Sequence, residues 1–178
     1  MLFSIITPTT GNPKLQKLLE SINEQVFKNN EISVEHLIVV DGPDFKEKVE
    51  SVIKLVETRH QRFIFQLPFN TGANNYFGHK IYAGISQFVR GDYVLFLDED
   101  NWLEPYHIQS YYDLLSIKKL QWCFSLRNIV SDNGDYICRD DCESLGFLHH
   151  SFYHPEVYMI DTNGTCVSRE VLIQISPV

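Results

Sequence analysis

The sequence predicts an α/β domain with a mainly parallel central sheet covered by helices on both faces. Three observations carry this. Four short apolar runs recur along the first hundred residues, stretches of helical period separate them, and each run stops at a polar turn. Strands buried on both faces read as continuous apolar runs rather than as an alternation.

The elements follow in order. LFSIIT, residues 2–7, is a first strand that stops at Pro8. Asn12-Pro13 opens a helix, with Asn12 as cap and Pro13 at its first position; Leu15, Leu18, Leu19, Ile22 and Val26 form its apolar stripe. VEHLIVVD, residues 34–41, is a second strand ending in the turn Asp41-Gly42-Pro43. Phe45, Val49, Val52, Ile53 and Val56 keep helical spacing, and RFIFQL at 62–67 is a third strand. Asn70-Thr71-Gly72 then breaks the chain before a helix of about fifteen residues ending near Gly91. DYVLFLD is the fourth strand. Beyond it come a helix around 104–117, a strand near 120–130, a hairpin turn at Asn133-Gly134, a short strand near 157–161 and a helix from Ser168. No repeat or linker divides the chain, so residues 1–178 are expected to form one domain, regular over 1–101 and irregular over 102–178.

Composition narrows the function. A chain of 178 residues that is 44% hydrophobic and 21% charged suits an ordinary globular core, and its net charge of -8 argues against a nucleic-acid partner. No apolar run approaches the ~20 residues needed to span a bilayer. MLFSIITPTT lacks the basic start and long apolar run of a signal peptide, so a cytoplasmic location is expected, with peripheral membrane contact left open. Cys123, Cys138, Cys142 and Cys166 are too few and irregular for a disulfide scaffold. Cys138 and Cys142 with His149, His150 and His154 raise a zinc site, but their spacing matches no familiar finger, and reduced cysteines with loop histidines are the simpler reading.

The chemistry gathers at the strand ends, where open parallel sheets bind ligands. Those ends carry Thr7-Pro8-Thr9-Thr10, Asp41-Gly42, Asn70-Thr71-Gly72 and Asp98-Glu99-Asp100. Three adjacent carboxylates repel one another unless something positive lies among them. Asp98 and Asp100 stand at i and i+2, which an extended backbone points to one face. Such paired hard oxygens suit Mg²⁺ or Mn²⁺, which joins carboxylates to substrate phosphates.

FSIITPTTGN, HLIVVDGPD, the helix after FNTGANN, GDYVLFLDEDNWLEP and, at 159–171, MIDTNGTCVSREV resemble family 2 glycosyltransferases. The resemblance covers nearly all of the chain, and GDYVLFLDED is its most specific block. It implies the GT-A fold, a Rossmann-like three-layer α/β sandwich, and a nucleotide-diphosphate sugar as donor. It implies a metal on Asp98 and Asp100, with Asp100 the direct ligand. Glu99 would reach the ribose or sugar, or face outward; Thr7, with Pro8 and Thr9 beside it, would contact the base or ribose. Asp41 matches the acid after the second strand, although Gly42 stands where many members have a second acid. His79 or Lys80 would face the nucleotide, or else form a solvated helix face.

The resemblance further implies an inverting transfer to a carbohydrate or other hydroxyl acceptor, assisted by a general base downstream of the last block. The sequence reaches Ile175-Ser176-Pro177-Val178 before such a segment, leaving Asp161, Asp141 and Glu143 as candidates, with turn and surface-loop roles as their alternatives. Trp102 either offers a sugar a stacking face or packs on the sheet. Two readings stand: a metal-dependent glycosyltransferase, and a truncated or degenerate domain that binds nucleotide sugar with little transfer. A nucleotidyltransferase would want a Gly-rich basic loop after the first strand, where TPTTGNPK offers only Gly11 and Lys14.

Overall fold

A computed structural model describes residues 1–73, 75–151 and 155–175. The regular half runs β1 (Leu2–Thr9), α1 (Leu15–Asn23), β2 (Ser33–Val40), α2 (Lys46–Ile53), β3 (Gln61–Gln66), α3 (His79–Ile85) and β4 (Tyr93–Phe96). The remainder runs α4 (His107–Lys118), β5 (Trp122–Phe124), β6 (Asn128–Val130), β7 (Tyr136–Arg139), β8 (Thr165–Ser168) and α5 (Arg169–Ile175).

The main sheet has the order β3-β2-β1-β4-β8-β5, with β3, β2, β1 and β4 parallel and β8 antiparallel to both of its neighbours. Strand residues alternate between two cores, as a period of two requires. Phe3, Ile5, Val34 and Ile38 meet Leu15, Leu18, Leu19 and Ile22 of α1, Val49 of α2 and Ile108 of α4 on one face. Ile6, Leu37, Val39 and Val94 meet Ile81, Tyr82 and Ile85 of α3 and Leu172 of α5 on the other. The expected mainly parallel sheet with helices on both faces is therefore present, as three layers.

Three expected elements differ. The long helix after Gly72 is cut to α3 and a 3-10 turn at Ser86–Phe88. Asn75 and Phe77 take positive φ angles of 66° and 45°, which no helix accommodates. The expected strand at 120–130 is two short strands in different sheets: β5 completes the main sheet, and β6 pairs with β7 through the expected hairpin, where Gly134 has φ 88°. Residues 157–161 form no strand; the strand of this region is β8, after a 3-10 turn at Thr162–Gly164. Asn12 Oδ1 accepts the Lys14 N–H at 3.0 Å in the turn that precedes α1, but the helix starts at Leu15 with Lys14 in the cap position, two residues later than expected.

Candidate functional site

The ends of β1, β2 and β4 open onto a cleft of about 450 Å³. Pro8, Thr9 and Thr10 form one wall, Asp41 and Asn70 another, and Asp98, Glu99 and Asp100 a third. The chain leaves β4 at Phe96, and Asn101 N–H donates to the Asp98 carbonyl at 3.0 Å. Residues 98–101 are thus a turn. The extended spacing expected to set Asp98 and Asp100 on one face does not occur, and the turn brings both to the cleft instead.

The three carboxylates have separate partners. Asp98 Oδ1 accepts the Tyr82 hydroxyl at 2.5 Å and Oδ2 accepts Asn163 Nδ2 at 3.0 Å. Burial, then the charges of Asp98, Asp161 and Asp100, push the Tyr82 hydroxyl far above its ordinary pKa, so it remains a donor. Glu99 turns back beneath the β1–α1 loop, where five N–H and O–H groups donate to it. Asp100 is exposed, with Asn101 Nδ2 at 3.1 Å.

Asp41 is buried, and its carboxylate accepts Thr71 N–H at 2.7 Å, Thr71 Oγ1 at 2.8 Å and Gly72 N–H at 2.9 Å. It therefore shapes the loop that closes the cleft. A Cβ on Gly72 would lie 2.6 Å from the Phe77 carbonyl, so only glycine fits that approach. Thr7 is placed elsewhere than expected: it is fully buried, 2.9 Å from His36 Nε2, and does not line the cleft. On β1, an odd position faces the α1 core, and that parity takes Thr7 with Phe3 and Ile5. His79 and Lys80 are exposed outside the cleft, with Lys80 Nζ 3.7 Å above the Tyr76 ring.

A second cavity, of about 300 Å³, is lined by Asp100, Asn101 and Trp102 together with Arg127, Asp161 and Asn163. Among the described residues, Asp100 lines both. Trp102 lines the second cavity with Lys17 Nζ 3.5 Å over its ring. Asp161 also lines it, accepting Arg127 Nη1 at 2.5 Å and Asn163 N–H at 2.8 Å. Asp161 is thus also the cap of the turn at Thr162–Gly164. Asp141 is exposed and Glu143 lies 3.4 Å from Arg127 Nη2; neither lines either cavity. Arg127 also donates to buried Asp140 at 2.8 Å. Burial opposes ionisation of Asp140, but the N–H groups of Cys142, Ser144 and Glu143 and the Arg127 guanidinium outweigh it and hold its carboxyl well below the usual range.

Sequence reasoning missed Tyr82, Arg127 and Asn163. Tyr82 reads as one more apolar helix position and Asn163 as a turn residue. Arg127 carries no clear signal, since Arg139, directly before Asp140, is the nearer cation to the acids at 140–143. Among the described residues no group of three His, Cys, Asp or Glu side chains is gathered to hold a metal. Cys138 and Cys142 are exposed and free, and His154 lies outside the described residues.

The sequence pattern of glycosyl transferase family 2 matches residues 4–172. The chain belongs to glycosyl transferase family 2. This family 2 chain finds no match among curated protein sequences. Solved structures share its fold. TarS 1-349 of S. aureus is 18% identical with a TM-score of 0.65, over 98% of this chain and 49% of that one. The same protein in complex with UDP-GlcNAc gives 16% identity and a TM-score of 0.67, over 98% and 47%. Mannosyltransferase PcManGT from Pyrobaculum calidifontis, in complex with GDP-Man and Mn²⁺, gives 11% and 0.59, over 97% and 46%. The family 2 chain thus shares the GT-A fold and spans about half the length of these structures. No described helix is long and apolar enough to cross a membrane.

Proposed function

We propose that this domain binds a nucleotide-diphosphate sugar in the first cleft and transfers the sugar to an acceptor hydroxyl presented from the second cavity. The observation that carries this is the charge of the cleft. Asp41, Asp98, Glu99 and Asp100 line it, and among the described lining residues there is no Lys, Arg or His. A diphosphate entering such a site needs a cation to come with it. UDP-GlcNAc in TarS and GDP-Man with Mn²⁺ in PcManGT support that ligand class on the same fold.

The residues present fit Mg²⁺ or Mn²⁺. Asp100 offers an exposed carboxylate, and each Asp98 oxygen carries one protein hydrogen bond, which leaves a lone pair free. Asp100 with Asp98 would hold the ion, and its charge would offset the charge that grows on the leaving diphosphate. Residues 1–101 then serve as the nucleotide half and 102–178 as the acceptor half, joined at Asp100. Pro8 and Thr9 line the cleft beside the donor, Asp41 shapes its floor, and His79 and Lys80 stay outside. An acceptor hydroxyl attacking from the Asp161 side would reach the anomeric carbon opposite the diphosphate, which inverts its configuration.

One observation favours the reading of nucleotide-sugar binding with little transfer. Of the three candidate bases Asp161 alone lines the acceptor cavity, and Arg127 and Asn163 already engage both of its oxygens. With both oxygens already accepting hydrogen bonds, this carboxylate is poorly placed to take up a hydroxyl proton, and general-base assistance is worth about 10²- to 10⁴-fold in rate.

Calorimetry with UDP, GDP and their sugar conjugates tests the proposal. Binding is expected in Mn²⁺ and not in excess EDTA, and Asp100→Ala should erase that difference. Equal affinity in the two buffers removes the metal; no binding of any nucleotide removes the donor site.

A further inference from the structure

The β1–α1 loop carries the geometry of an anion seat. The N–H groups of Thr10, Gly11 and Asn12 all donate to one carboxylate, that of Gly11 shared with Thr9 Oγ1, helped by Gly11 at φ 81°, where the left-handed backbone turns successive amides the same way. The hydroxyls of Thr9 and Thr10 point there too. In nucleotide-binding folds a nest of this kind receives phosphate. Here it is full. Glu99 Oε2 accepts Thr9 Oγ1 at 2.5 Å, Asn12 N–H at 2.8 Å and Gly11 N–H at 3.1 Å. Glu99 Oε1 accepts Thr10 Oγ1 at 2.9 Å and Thr10 N–H at 3.1 Å.

We propose that Glu99 is a positioning residue that acts as the resident counter-anion of this nest, locking the loop Thr9–Asn12 to the Asp98–Asp100 turn and denying the nest to the donor's phosphates. Two consequences follow. The diphosphate is turned toward Asp98 and Asp100, where only a cation can hold it, so dependence on a divalent ion follows from the acid between them. The turn that carries both acids is also fixed in place by five hydrogen bonds to a loop on the neighbouring strand β1. Charge-assisted bonds of this kind are about twice as strong as neutral ones.

The inference rests on the nucleotide-sugar reading for its ligand, but its test does not. Inorganic pyrophosphate is titrated calorimetrically into the whole chain in excess EDTA. Wild type is expected to bind it weakly or not at all, and Glu99→Ala, with the nest emptied, at least about tenfold tighter. A merely structural role predicts loss of stability without this gain. Should Glu99→Ala fail to fold, Glu99→Gln keeps the side-chain shape, loses the charge and is expected to gain about threefold. A folded variant with no gain over wild type in EDTA overturns the proposal. A gain in the variant together with no nucleotide binding by wild type in Mn²⁺ leaves the nest assignment standing and removes the nucleotide reading instead.

Discussion

Asn163 grips Asp98 from both sides: its Oδ1 accepts the Asp98 N–H at 2.6 Å while its Nδ2 donates to Asp98 Oδ2 at 3.0 Å. The turn at Thr162–Gly164 thereby sets the orientation of an acid at the end of β4. Asn163→Ala removes both bonds. The expected outcome is a folded protein that binds nucleotide in Mn²⁺ about tenfold more weakly, since hydrogen bonds to a charged group contribute about 1.5–3 kcal/mol. Unchanged Mn²⁺-dependent affinity would show that the orientation of Asp98 does not matter.

Thr7 lies within β1 and Asp41 just past the end of neighbouring β2, and the two should behave differently. Thr7→Val leaves His36 Nε2 buried without a partner, so stability should fall by about 1–3 kcal/mol while nucleotide affinity holds. Asp41→Ala releases Thr71 and Gly72, so affinity should fall as the loop opens. Denaturant melts beside calorimetry on each variant separate the two effects. A loss of affinity in Thr7→Val with stability intact would put Thr7 at the ligand after all.

Arg127 joins Asp140, Asp161 and Glu143. Its removal leaves Asp140 buried, though three backbone N–H groups still hold it. Arg127→Ala should therefore cost about 2–3 kcal/mol, less than the ~3–5 kcal/mol of a fully buried pair. Arg127→Lys should recover little, because an ammonium cannot fork between two carboxylates. Full stability in the lysine variant would refute the fork as the reason.

Acid should weaken the fold through its buried histidines. Burial first, with His60 and Arg62 adding to it, holds His36 well below its ordinary pKa. Burial with Arg62 brings His60 to about 4, and burial brings His107 to about 4. The unfolded chain takes up protons near pH 6.5, and the folded chain only nearer 4. Stability is therefore complete above about pH 6.5 and falls as pH drops toward 4. Melting temperature should decline between pH 7 and pH 5, and His107→Phe should make that decline shallower. A flat profile would mean that these rings take up protons as readily in the folded chain as in the unfolded one.

Most of the sheet, and the edge at which its parallel strands end, can be read from the sequence alone. The apolar runs at LFSIIT, HLIVV and YVLF set three parallel strands, and the polar residues that end them set where a ligand could lie. Such features are local: a period of two or 3.6 and a turn residue are written within ten residues of chain. Local pattern also named the acids at 98–100, but not their roles. Folding alone brings Glu99 into the β1–α1 nest, Asn163 onto Asp98, Arg127 among three carboxylates, and Thr7 to the core. It also inserted β8 antiparallel beside β4, where the sequence suggested a strand several residues earlier. One cause runs through all of these. What a carboxylate does depends on the donors that reach it, and those of Glu99 and Asn163's grip on Asp98 come from 65 to 90 residues away, a separation that no local period encodes.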